Sequence, residues 1–313
     1  MNEGAQAANP LRGIGLKVAS VIGFVGMSSL IKSAGSLPPG QLVFFRSFFA
    51  IFPIVLILAW RSELRGALRT SQPLGHVIRG GVGVVSMGLG FYALTLLPLP
   101  EWIAIGYAQP LIIVLIGALF MGETVRMFRW GAVIVGFLGV LVISWPKLTL
   151  LTSAEGLQRT QAVGVLICLA SAAVSAVALT YVRILVRTER TPTVVLWFSL
   201  TASTAALMTL PFGWASLSPG QAAALIGAGF CGGVAQMLMT EAYRHAELST
   251  VAPFEYVSLL LGVVIGFFAF GEAPSAYVLV GGTIVIAAGL VIIWREHRLN
   301  IDRMKLKPLA PPQ

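Results

Sequence analysis

Charge is what this chain lacks most. Only 11% of its 313 residues are charged, against the roughly 25% with which a soluble domain covers its surface. An ordinary water-soluble enzyme is excluded on that ground. Asp302, close to the C-terminus, is the sole aspartate, so intramembrane enzymes that hold metal-bound diphosphates between paired aspartates are excluded too. Histidine is scarce: His76, His245 and His297 fall in expected loops or the tail, and no histidine metal site is expected. Cys168 and Cys231 both lie inside apolar runs, which gives no disulfide framework. The chain has no Walker loop, no H-E-x-x-H and no G-x-S-x-G, so neither enzymatic activity nor a cofactor is expected.

What the chain has in abundance is apolar length. Hydrophobic residues make up 57% of it, and its mean hydropathy is +0.88. Ten runs reach, or nearly reach, the roughly 20 residues needed to cross a bilayer as a helix: 13–31, 41–60, 80–97, 102–120, 128–145, 162–182, 194–212, 222–240, 251–270 and 277–294. They are continuously apolar rather than alternating, which favours helices over a β-barrel. What remains makes two tails and nine short loops, with no room for a soluble domain. Residues 1–10 contain no apolar core, so the first run is expected to be an uncleaved span rather than a signal peptide.

The net charge of +9 would suggest nucleic acid in a soluble protein. Here its placement explains it. With the N-terminus inside, 16 of the 21 basic residues fall in cytoplasmic segments and three (Lys32, Lys147 and Arg159) fall outside. That is the asymmetry the positive-inside rule demands. Lys17 and Arg46 are left within spans.

The two halves repeat. Ile116-Gly117-x4-Gly122-Glu123 recurs 149 residues later as Ile265-Gly266-x4-Gly271-Glu272, and Gly15 and Trp145 recur as Gly164 and Trp294. Tyr92 and Leu97 match Tyr243 and Leu248 at 151. Five spans per repeat is an odd number, so the second repeat must be inserted upside down. The loops agree, since Arg126 and Arg129 follow the first Gly-Glu and no basic residue follows the second. Inverted repeats of this kind are characteristic of secondary transporters, whose site lies near the midplane between the halves.

On the Gly-Glu turns, Phe44-Phe45-Arg46, Ala252-Pro253-Phe254-Glu255-Tyr256 and His76-Val77-Ile78-Arg79-Gly80, the sequence resembles the ten-span members of the drug/metabolite transporter superfamily, built of two EamA-type repeats. The resemblance covers residues 13–294, and the last three motifs resemble a bacterial subgroup that includes riboflavin and S-adenosylmethionine transporters. It implies alternating access through a central cavity between spans such as 1, 3, 4, 6, 8 and 9, and leaves open the direction of transport. The organisation expected is a cytoplasmic tail (1–12), a first repeat (13–145), a periplasmic linker (146–161), a second repeat (162–294) and a basic cytoplasmic tail (295–313), in the bacterial inner membrane. The expected fold class is an all-α membrane bundle of ten helices.

Charged groups at membrane depth are costly and are default site candidates. Glu255, one turn into span 9 after Pro253, could bind a cation or titrate and couple transport to protons. Its alternative is a fixed hydrogen-bonding group near the outer surface. Arg46 is a second coupling candidate, with pairing to a carboxylate or a helix C-terminus as the structural alternative. Lys17 is a candidate counter-charge for a substrate, with snorkelling to the cytoplasmic interface as the more ordinary reading. Glu123 and Glu272 are expected to satisfy backbone donors in the repeated turn. Glu101 is expected to cap span 4, and Glu241 and His245 to be solvated loop residues.

Tyr92, Trp102, Tyr107, Gln109, Gln236, Tyr243, Phe254 and Tyr256 gather near the openings of spans 4 and 9 or the adjoining ends of 3 and 8. They read either as interfacial belt residues or as a stacking clamp for a planar ring. Pro110 should free a carbonyl in the middle of span 4. Gly227-x-Gly229-x-x-Gly232 matches a dinucleotide fingerprint without a preceding strand. Gly229 with Gly233 reads better as a close helix contact. The partners expected are a small organic metabolite and the lipid bilayer, with a homodimer as a further option and no nucleic acid. Riboflavin is the first substrate expected, with S-adenosylmethionine or an amino acid as the alternative.

Overall fold

Proline opens many of the helices. Its missing N–H falls where no intrahelical acceptor exists, and its fixed φ suits the first turn. The computed structural model describes residues 10–120, 127–148, 157–185, 188–245 and 251–305; Gly122, Glu123, Arg126 and Leu248 lie outside the described residues. The helices are α1 (Pro10–Ser33), α2 (Pro39–Trp60), α3 (Pro73–Leu96), α4 (Leu99–Gly106), α5 (Ala108–Phe120), α6 (Met127–Leu148), α7 (Leu157–Leu185), α8 (Thr191–Leu207), α9 (Pro219–His245), α10 (Val257–Phe270) and α11 (Ala276–Lys305). Short 3-10 turns occupy Leu210–Phe212 and Ala252–Tyr256. Among the described residues there is no strand. Eight stretches are long and apolar enough to span a bilayer, and 192–207 and 254–270 are shorter apolar helices. Together they make ten, with α4 and α5 forming span 4, and the second 3-10 turn and α10 forming span 9.

Several helices overrun their apolar cores, because hydropathy marks the hydrocarbon depth and not the length of the helix. Thus α3 begins at Pro73, seven residues before the expected start, and α9 continues to His245. Span 7 falls short instead: α8 stops at Leu207, and Pro211 and the left-handed Gly213 finish the segment as a 3-10 turn.

Packing follows a two-fold rule under exchange of spans n and n+5. Span 1 packs on 8 as 6 packs on 3, 2 on 8 as 7 on 3, and 4 on 6 as 9 on 1. The pairs 5 with 10, 2 with 7 and 4 with 9 map onto themselves and so lie on the pseudo-axis. Glycines make these seams tight. A methyl on Gly80 would stand 2.5 Å from the Thr201 side chain, and one on Gly83 would stand 2.7 Å from the Phe198 ring. On the related seam, Gly229 abuts Phe49, and a methyl on Gly233 would stand 2.7 Å from the Ala50 carbonyl oxygen. The Gly229–Gly233 motif is therefore a helix contact. Spans 5 and 10 cross at Gly139 and Gly281, where a methyl on either would meet the other's carbonyl oxygen.

Polar clasps join the repeats at both ends. On one side Glu189 accepts from the Thr70 hydroxyl (2.8 Å) and from the Ser71 N–H and hydroxyl (2.9 Å each), and the Gln72 amide donates to Thr188 (3.0 Å). On the other, Gln41 bonds both the N–H and the carbonyl of Ala215, and Gln221 donates to the Ala34 carbonyl. The first clasp joins the 2–3 and 6–7 connections. The second involves the 7–8 and 1–2 connections, their counterparts in the repeat.

Candidate functional site

Spans 4 and 9 are broken at the same register. Pro110 has no N–H for the carbonyl four residues earlier, and the helix interrupts at Tyr107, which turns back with a 3.3 Å bond to Ala104. In span 9 the Pro253 segment is 3-10 up to Tyr256, and α10 begins at Val257. Tyr107 and Tyr256 are 149 residues apart, the repeat shift itself. Their rings meet edge to face, with centroids 5.2 Å apart.

Around this pair the structure gathers several of the expected residues. Ser258 donates to the Glu255 carbonyl (2.6 Å), which leaves the Tyr107 hydroxyl to donate to Ser258 (2.7 Å). Tyr256 abuts Gly289 of α11. Lys17 of α1 forms an ion pair with Glu255, and the two side chains differ sharply in exposure, 2% for Lys17 and 47% for Glu255. Phe254 is half-buried beside them. Lys17 is therefore paired inside the bundle and does not snorkel. Because Lys17 is seven residues, about 10 Å, into α1, Glu255 lies toward the end of the bundle at which α1 begins.

Other expected residues stand apart from this cluster. Trp102 donates its indole N–H to the Gly90 carbonyl (2.8 Å), and Gln109 donates to Ser175 (2.6 Å); both thus engage the α3–α7 side. Tyr92 is 39% exposed, and half-buried Gln236 is on α9. The Tyr243 side chain lies outside the described residues. Among the described residues, the aromatic and amide groups therefore form no single clamp. Ser258 and Ser175 were missed, because serine carries little signal in an apolar helix.

Arg46 is 7% exposed, and among the described residues it meets neither the carboxylate nor the helix end that its structural reading required. Its guanidinium carbon is 5.7 Å from the centroid of the Phe198 ring, and that of Arg79 is 3.7 Å away. Glu101 lies in the first turn of α4, as expected for the dipole, and also pairs with Lys147. Glu272 does satisfy a backbone donor, but in the other repeat: it accepts from the Leu99 N–H at the start of α4 (2.8 Å) and pairs with Lys32 (2.9 Å). Gly271, at φ +65°, makes the reversal that presents it.

Three other expectations are corrected by the overrunning helices. His76 sits in the first turn of α3, 1% exposed and stacked on Trp197 with centroids 5.5 Å apart. His245 is buried at the end of α9, 3.4 Å from Glu241, and Glu241 also pairs with Arg61 at 3.2 Å.

Two five-span halves related by a pseudo-axis, with broken spans meeting on it and a half-buried ion pair beside the break, define a secondary carrier. The chain belongs to the EamA-like transporter family, which matches residues 11–145 and 162–295. It is a transporter, not an enzyme, and a multi-pass membrane protein that handles a small molecule. It is similar to a riboflavin transporter of Rhizobium johnstonii (29% identity over 308 residues, 95% of this chain and 97% of that one). It is also similar to an S-adenosylmethionine uptake transporter of Rickettsia conorii (25% over 292 residues, 92% and 94%), and to a pseudopaline exporter of Pseudomonas aeruginosa PAO1 (27% over 287 residues, 90% and 95%). A solved crystal structure at 21% identity superposes with a TM-score of 0.64 over 92% of this chain and 98% of that chain, and so shares its fold.

Proposed function

We propose that this carrier takes up riboflavin across the bacterial inner membrane by alternating access, with both termini in the cytoplasm. The carrying observation is that the two charges at the break in span 9 cancel each other. Lys17 is satisfied by Glu255, so the lining needs no charged solute. What stands beside the pair is aromatic and hydroxylic: Tyr107, Tyr256, Phe254 and Ser258. Ring faces with a few orienting hydroxyls suit a neutral, planar, hydroxyl-rich molecule. Two riboflavin transporters among the relatives, at 29% and 28% identity, agree with this reading.

S-adenosylmethionine is the second reading, favoured by one feature. Glu255 is the accessible partner of the pair, so a cationic solute could reach it and leave Lys17 to the solute's carboxylate.

The test is uptake of labelled riboflavin by bacteria lacking their own synthesis and uptake, with and without this protein. Saturable uptake that Tyr256→Ala abolishes, and that excess S-adenosylmethionine does not compete, is the expected result. Normal membrane expression with no riboflavin uptake, but with uptake of S-adenosylmethionine, would overturn the first reading in favour of the second.

A further inference from the structure

Arg46 of α2 and Arg79 of α3 face the same ring, Phe198 of α8, from 5.7 and 3.7 Å. Neither makes an ion pair or a hydrogen bond among the described residues. The Arg46 Nε and the Arg79 Nε and Nη1 are buried without a partner. The described glutamates are committed elsewhere: Glu63 to Arg190, Glu101 to Lys147, Glu189 to the clasp, Glu241 to Arg61, Glu255 to Lys17 and Glu272 to Lys32.

Two guanidinium groups on one ring repel each other, and with Arg46 buried and Arg79 half-buried they have given up part of their hydration. The quadrupole of one phenylalanine ring offsets only part of that. Guanidinium forks match carboxylate and phosphate groups in shape and charge. The place is also right for a solute, since α2 and α3 belong to the first repeat and α8 to the second. Gly232 of α9 packs against Arg46 without a side chain of its own: a methyl there would stand 3.4 Å from the Arg46 Nε and 2.7 Å from the Met27 sulfur.

We propose that Arg46 and Arg79 form an anion subsite between the repeats that receives a carboxylate or phosphate group. This goes beyond the riboflavin reading, which asks for no anion, and it stands or falls separately.

Thermal unfolding of the purified full-length protein tests it. The probes are inorganic phosphate, riboflavin 5′-phosphate and S-adenosylmethionine, each compared with chloride at equal ionic strength. The subsite predicts a saturable rise in Tm with at least one probe. Arg46→Gln and Arg79→Gln should raise the concentration for half effect by about tenfold or more, the worth of a charge-assisted hydrogen bond. Arg46→Lys, which keeps the charge without the fork, should fall between. Without any probe, both Gln variants should unfold at or above the wild-type temperature, since each removes a buried cation with no counter-charge. Response to inorganic phosphate alone assigns a free anion, and response to either organic probe assigns a group carried by a solute; both support the subsite. Three results would overturn it: no response of the wild type to any probe, an undiminished response in the Gln variants, or a lower Tm of both without probe, which would mark the arginines as staples on Phe198.

Discussion

The two partners of the Lys17–Glu255 pair are unequal. Lys17 is enclosed, whereas Glu255 is about half open. Glu255→Gln leaves an enclosed ammonium without that counter-charge and should cost about 2–4 kcal/mol. Lys17→Met leaves a carboxylate that solvent can reach, and fills the same volume with an apolar chain. It should cost less than about 1 kcal/mol. Denaturant unfolding of both variants in nanodiscs checks the order, and the reverse order would mean that Glu255 is the enclosed partner. Glu189 gives a pH prediction. Partial desolvation pushes its pKa up, but bonds from the Thr70 hydroxyl and the Ser71 N–H and hydroxyl, with the charge of His76, outweigh this and hold it below the ordinary glutamate value. A depressed folded pKa stabilises fully above the unfolded value, near 4.3, and the contribution is lost only as pH falls through the folded one. The Tm deficit of Glu189→Gln should therefore be constant from about pH 5 upward and vanish in stronger acid. A deficit that shrinks between pH 5 and 7 would implicate His76 instead. The sequence nominated Lys17, Arg46 and Glu255 from the cost of burying charge. It could not join Lys17 to Glu255 across 238 residues, nor show that Arg79, counted as a cytoplasmic charge, faces the same ring as Arg46.

At the scale of the element, the breaks in spans 4 and 9 depend on room as much as on proline. Tyr256 occupies the space where Gly289 has no side chain. Gly289→Ala should displace the ring from Tyr107, lower stability by about 1–3 kcal/mol as overpacking does, and abolish solute uptake. Tyr256→Phe in the same chain removes the nearest atom in conflict, the hydroxyl oxygen, but leaves the ring Cζ at 2.6 Å, and should restore part of the stability. If the double variant is no more stable than Gly289→Ala alone, the contact is not what positions Tyr256. The spans themselves were legible, because twenty apolar residues have few other fates. Their ends were not. His76, Glu241 and His245 are helical and partnered because the helices continue beyond the apolar runs. Pro110 announced the break in span 4, but only the fold shows that Tyr107 lies opposite its own repeat counterpart.

For the whole molecule, alternating access requires each clasp to release in turn. Gln72→Cys with Thr188→Cys, joined by a short thiol crosslinker in a chain whose Cys168 and Cys231 are replaced by alanine, should stop solute exchange, and cleaving the linker should restore it. Crosslinked protein that exchanges at the full rate would show that this clasp is fixed scaffolding. The inverted architecture was legible from an odd number of spans and the reversed charge of related loops. The pairing of helices was not, since contacts between distant spans leave no local pattern. That pairing carries a further consequence. Because the contacts of one half recur in the other with the roles exchanged, each half already displays a shape its partner can adopt. Trading those shapes would give the same molecule turned by half a turn about an axis in the membrane plane, at nearly the same energy. A carrier built this way needs no external drive to visit both faces: preferential binding shifts how often each face is open, and a gradient of the solute or of a coupled ion sets the direction of net flow.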